Sequence, residues 1–175
     1  MSKRNLALIG ATIVSIIYGV TFTIAKDVMP AYIDAFGFIF LRVGGSVLLF
    51  WLTWLFMPKE KIALGDFPRI IAAAFFGVAF NMLTFFKGLS LTSPISAAVI
   101  MVSTPMIVLV LSAIIMKERL KKRKVFGIVL GLFGTALLIL YGKSIGSATN
   151  AGLGNFLVLV NAISYGFYLI IVKKL

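Results

Sequence analysis

The stretch ISAAVIMVSTPMIVLVLSAIIM, residues 95–116, carries no charge and leads into KERLKKRK at 117–124, after which VFGIVLGLFGTALLILY fills 125–141. An α-helix rises about 1.5 Å per residue and the hydrocarbon layer of a bilayer is about 30 Å thick, so the first run is long enough to cross it and the second just suffices. The link between them is dense in Lys and Arg, the composition that stays on the cytoplasmic side. Two crossing helices joined by a basic loop specify a polytopic membrane protein.

Further runs of the same kind lie on either side: Leu6 to Val28, Ala35 to Met57, Pro68 to Leu89, and Leu153 to Val172. The expected fold is therefore all-α, a transmembrane helical bundle of about six spans. The chain is 61% hydrophobic with a mean hydropathy of +1.12, more apolar side chain than a soluble core of 175 residues could hide. Asp27 to Asp34 with Pro30, Pro58 to Asp66, the LTSP of 91–94, and the Gly/Ser/Asn-rich Gly142 to Gly154 separate the runs with turn chemistry. Lys3 and Arg4 ahead of an apolar run resemble a signal peptide, but the uncharged Leu6 to Ala25 exceeds the usual 7 to 15 residue core of such signals. The first run reads as an uncleaved span.

Placing the N-terminus in the cytoplasm gathers Lys3, Arg4, Lys59, Lys61, Arg69, the cations of Lys117 to Lys124, Lys173 and Lys174 on that side. Only Lys26, Lys87 and Lys143 then fall outside, with Arg42 inside a span. The asymmetry predicts that both termini are cytoplasmic. It also accounts for the formal charge of +12 without nucleic acid, because the cations separate apolar runs instead of clustering on a solvated reading face. Anionic lipid is the expected partner of Lys117 to Lys124.

The chain has no Cys and no His, which removes thiolate and imidazole catalysis and the common zinc ligand sets. Its acidic residues, Asp27, Asp34, Glu60, Asp66 and Glu118, all lie in or near loops, so no buried carboxylate pair is available for acid and base work. Neither enzymatic activity nor a cofactor or metal is expected.

Helices in lipid associate through close contact of small residues. Ala11, Ser15, Gly19 and Thr23 form such a stripe in the first span, Ala73, Gly77 and Asn81 in the third, and Gly127, Gly131 and Gly134 mark the fifth. These stripes fit either packing within the chain or an oligomer seam. Pro105 cannot donate to the Met101 carbonyl and should kink the fourth span, as a structural bend or as the lining of a solute path. Asn81 and Asn161 are polar at membrane depth and need partners, either through interhelical hydrogen bonding or in a cavity, beside which Tyr18, Phe22, Tyr165 and Tyr168 would form an aromatic wall.

Arg42 lies roughly 10 Å inside its span. It is expected either to pair with Asp27, Asp34 or helix-end carbonyls, or to form with Lys26 and Lys87 a positive outer vestibule for anionic or zwitterionic solutes.

Three stretches carry a resemblance: SIIYGVTFTIAK at 15–26, FIFLRVGGSVLLF at 38–50, and FFKGLSLTSPISAAVIMVSTPMIVLVLSAIIMKERLKKRKVFGIVLGLFGTALLI at 85–139. Together they resemble the EamA branch of the drug/metabolite transporter superfamily, most specifically in the order Pro105, Glu118-Arg119, then Gly127, Gly131 and Gly134. The resemblance implies a ten-helix carrier of metabolites or drugs, often an exporter, in a bacterial cytoplasmic membrane, with two five-helix repeats of opposite orientation around a central cavity. Residues 1–144 would be the first repeat, and 145–175 a linker and the first helix of the second. Glu118 would be structural, and Lys121 and Lys122 are spaced to pair with it.

A repeat is visible in the residues themselves. Aligning Tyr18-Gly19 with Tyr165-Gly166, an offset of 147, also matches Ile16 with Ile163, Ile24 with Ile171 and Lys26 with Lys173. Five spans lie within that offset, so the second copy is reversed, as in inverted-repeat carriers. Two whole copies would need about 290 residues, which predicts that a second half, or another copy of this chain, completes the assembly. On that view Asn161 and Tyr165 should be left without most of their neighbours.

The expected function is carriage of a small solute by alternating access, with Tyr18, Phe22, Asn81, Pro105, Asn161, Tyr165 and Tyr168 lining the cavity. The alternatives are a membrane scaffold or assembly subunit, and a channel, although no ring of charges or carbonyl filter is legible. No carboxylate stands at mid-span, so proton exchange through a buried glutamate is not expected of these six helices.

Overall fold

The computed structural model describes residues 3–29, 31–57, 62–117, 122–141, 149–173 and 175, with the side chains of 3 and 138–141 left out. Pro30, Lys59, Glu60, Lys61, Glu118, Arg119, Lys121, Lys143 and Lys174 lie outside the described residues. So does the expected pairing of Glu118 with Lys121 and Lys122.

Helix α1 runs Lys3–Val28 and α2 runs Ala35–Trp54. The Asp34 carboxylate caps α2, accepting the Gly37 N–H at 2.6 Å, so one candidate partner of Arg42 is committed to a helix end. The third span is compound: a 3₁₀ turn at Leu64–Asp66, α3 at Phe67–Ala74, a π turn at Phe75–Ala79, and α4 at Phe80–Leu91. The fourth is α5, Pro94–Val102, followed by α6, Thr104–Met116. Helix α7 covers Lys122–Tyr141 and α8 covers Ala151–Val172.

Five stretches among the described residues are long and apolar enough to cross a membrane: Arg4–Val28, Ala35–Trp54, Leu64–Leu91, Pro94–Ile115 and Ala151–Val172. The remaining expected span lies in α7, whose 20 residues rise about 30 Å. The chain is an integral membrane protein built as a polytopic helical bundle.

The interruption expected from Pro105 is present. The fourth span breaks two residues before it, at Ser103, whose N–H bonds the Ile100 carbonyl at 3.0 Å. Pro105 then falls in the first turn of α6, where a missing N–H costs nothing. The Ser103 carbonyl restarts the ladder by accepting from Met106 and Ile107, each at 3.0 Å. Its hydroxyl bonds that of Thr135 on α7.

Helix α8 sits at the centre, touching α3, the π turn, α4, α5, α6 and α7. Among the described residues, helix α1 packs on α4 and α5, and α2 on α4. The buried apolar cluster gathers at one end: Phe22, Ala25 and Met29, with Ala35, Phe85, Phe86 and Leu89, closed by Ala97, Ile100 and Val158. From that end α1 and α2 diverge, and residues 4–20 of α1 are exposed throughout.

A polar seam at mid-membrane as the candidate site

Span 3 and α8 run antiparallel, and their contact is set by residues without bulk. A Cβ on Gly88 would come within 2.8 Å of the Gly154 carbonyl oxygen, and one on Gly154 within 2.8 Å of the Gly88 carbonyl oxygen. Backbones this close bring short polar side chains into range. Thr92 donates to Asn155 Oδ1 at 2.6 Å, with both side chains buried. The Asn150 N–H bonds the Leu91 carbonyl at 3.2 Å, tying the start of α8 to the end of α4.

About two turns deeper, Asn161 Nδ2 donates to the Asn81 carbonyl at 2.9 Å and Asn81 Nδ2 returns toward the Asn161 carbonyl at 3.4 Å. Asn161 is only 1% exposed and lies halfway along α8, hence near the middle of the bilayer. The expectation that Asn161 lacks neighbours is corrected here, because the first five spans already supply them. A carbonyl can only accept, which fixes the Asn161 amide with Nδ2 toward the Asn81 oxygen and leaves Oδ1 buried with no partner among the described residues. Thr104 Oγ1 on α6 is likewise buried and unpartnered. It stands at a similar depth, since Gly166 rests on Leu111, Ile107 and Val108 of the same helix.

One turn further, the Ser164 hydroxyl donates to the Phe76 carbonyl at 2.7 Å, and the Tyr168 ring lies against Gly77, where a Cβ would strike it. Tyr165 and Tyr168 pack with centroids 5.6 Å apart. Tyr18 on α1 meets Phe22 edge to face at 5.3 Å and lies within electrostatic reach of Tyr165 and Arg42. An aromatic series continues from Phe22 to Phe85, Phe86 and Phe38. The Arg42 guanidinium rests 5.5 Å from the Phe86 centroid, a cation–π contact that suits a charge held below the interface.

The anticipated residues thus fall into distinct places. Asn81, Asn161 and Tyr168 belong to the seam; Tyr18 and Tyr165 flank it with substantial exposure; Phe22, 8% exposed, is core. Pro105 is exposed. Lys26 is spent as a cap, donating to the Leu89 and Ser90 carbonyls at 3.2 and 2.9 Å at the end of α4. Lys87 lies 5.9 Å from the Phe36 centroid. Arg42 also lines a cavity of about 350 Å³ in the V between α1 and α2, with Ile16, Ile17, Val20, Thr21, Ile24, Ala25 and Phe38.

Ser164, Thr92, Asn155 and the Gly88–Gly154 contact were missed by sequence reading. Their trace is present: Gly154, Asn155, Val158, Asn161, Ala162 and Gly166 recur at three- and four-residue spacing, a small and polar stripe on α8.

Comparison with known proteins bears on what such a seam serves. The family model described as the EamA-like transporter family matches residues 5–140. Over 134 residues the chain is 31% identical to a Bacillus subtilis (strain 168) protein described as "Uncharacterized transporter YyaM", covering 74% of this chain and 43% of that protein. It therefore spans less than half the length of that relative. No solved structure matches. The match over most of its length, through the first five spans, makes this chain a member of the EamA-like transporter family.

Proposed function

We propose that the chain is the first five-helix repeat (residues 1–144), with a linker and the opening helix of an inverted second repeat (145–175), of a carrier that exports small metabolites or drugs across a bacterial cytoplasmic membrane. The observation that carries this reading is the Asn81–Asn161 seam. It sets an unpartnered acceptor, Asn161 Oδ1, at hydrocarbon depth with tyrosines and Arg42 on the neighbouring helices. Buried polar groups are costly in lipid and are kept where solutes are handled.

The two ends of the bundle support alternating access. At the end proposed as extracellular, Lys26, Thr92 and the Gly88–Gly154 contact tie α1, α4 and α8 together. Toward the other end, residues 4–20 of α1 are exposed throughout. A carrier in which one repeat rocks against the other needs one closed and one open end at a time.

Counterflow in liposomes tests the reading. A polypeptide holding both repeats should show saturable exchange of amino acids, organic acids or cationic dyes, and the 175-residue chain alone should show none. Saturable counterflow by the monomeric chain would overturn the two-repeat part, and non-saturable flux by the longer protein would favour a channel.

A further inference from the structure

The π turn at Phe75–Ala79 holds one residue more than an α-helical turn would, and the hydrogen bonds show where it sits. The Phe80 N–H reaches back five residues to the Phe75 carbonyl, so the Phe76 carbonyl, its partner in a regular helix, is released. Ser164 fills that place from α8 at 2.7 Å. Gly77, within the turn, takes the Tyr168 ring against its backbone. Both features that hold the turn belong to α8 and would not fit a bulge placed elsewhere in span 3.

An extra residue can migrate along a helix. Each residue it passes turns by about 100° and advances about 1.5 Å. Above the turn, α4 is anchored by Gly88 on Gly154, by Thr92 on Asn155 and by Lys26 on its last carbonyls. Below it, Ala73 of α3 is buried, and α3 packs on α8. Motion is thereby confined to the segment between, which contains Asn81, bonded to Asn161 of α8.

We propose that this turn is a register switch in span 3, and that Ser164 is the positioning residue holding it where Asn81 pairs with Asn161. Passage of the extra residue beyond Leu83, toward the anchor at Gly88, swings Asn81 off α8, breaks both amide–carbonyl bonds, and leaves the whole Asn161 amide open to a solute. The use assigned to the switch rests on the carrier reading; its existence does not.

The chain contains no cysteine, so paired nitroxide labels can be placed cleanly. One pair, Leu83→Cys with Phe156→Cys, spans the mobile segment at exposed positions; a second, Ile71→Cys with Leu169→Cys, lies below the turn. In Ser164→Ala the first pair should gain a second distance displaced by about 5 Å or more, as a rotation of about 100° requires, while the second pair stays unchanged. Ser164→Thr, which keeps the hydroxyl, should restore the single distance. Deletion of Val78 in the Ser164→Ala background removes the extra residue and should also leave one distance. A Ser164→Ala distribution identical to the parent overturns the switch, as do equal changes in both pairs or a second distance that survives the deletion. Absent counterflow with an intact distance shift would instead count against the carrier.

Discussion

Span 3 against α8 and α1 against α2 are both antiparallel helix pairs of similar apolarity, yet the first is sealed and the second diverges. Gly88, Gly154 and Gly77 let the α8 seam close to backbone contact, and Thr92, Asn155, Asn81, Asn161 and Ser164 bond across it. In α1 the small residues Ala11, Ser15 and Gly19 are present at the same spacing, but their face is exposed, and the Ser15 hydroxyl bonds its own helix at Ala11. Lipid is as apolar as leucine, so a helix gains nothing from apolar contact alone. The difference teaches that a small-residue stripe becomes an interface only where a matching partner surface meets it.

Breaking the sealed pair should have the largest effect. Gly154→Ala puts a methyl against the Gly88 carbonyl and Thr92, where backbone cannot yield, and should cost about 2–3 kcal/mol in unfolding from mixed micelles. A loss under a tenth of that would mean the seam is looser than its glycines indicate.

Lys26→Met asks whether the sealed end holds α1 as well. It removes an ammonium from two terminal carbonyls of α4 and should destabilise by about 1 kcal/mol, while Lys26→Arg should recover part of that. Equal stability of Met and Arg variants would show that the stem, and not the charge, does the holding.

A double-mutant cycle at Asn81 and Asn161, each changed to Ala, sharpens the same comparison at mid-membrane. Each side chain donates to the other residue's backbone carbonyl, which alanine retains, so each single change should cost about 0.6 kcal/mol, the typical worth of an interhelical bond in lipid, and the two losses should add. Single changes without any loss would dissolve the pair. The smallest expected effect lies on the open side and has the opposite sign: Gly19 has nothing near its missing Cβ, so Gly19→Ala should stabilise α1 by about 0.5 kcal/mol through helix propensity. Destabilisation there, measured in the same unfolding assay, would show that α1 packs through that face after all.

Legibility followed the range of the physics. Apolar run length fixed the places of all six expected helices, since that constraint is local to each segment. Chemistry at short range was readable too: Asn81 and Asn161 stand out as polar residues that must find partners, and they found each other. The break expected from Pro105 is present, just ahead of it at Ser103, whose N–H turns back to Ile100. The helix end that Lys26 caps lies 63 residues away, so no local pattern shows that contact.

What the sequence by itself determined is the class of molecule: apolar runs of bilayer length, basic loops and the Pro, Glu-Arg and glycine order that mark the family. Only the tertiary structure decided that α8 is the centre of the bundle, that span 3 carries a π turn, and that Ser164 satisfies the carbonyl it releases. Helix formation depends on hydrogen bonds four residues apart along one chain, whereas the register between two helices depends on which side chains and missing side chains meet across them, and no single segment contains that information.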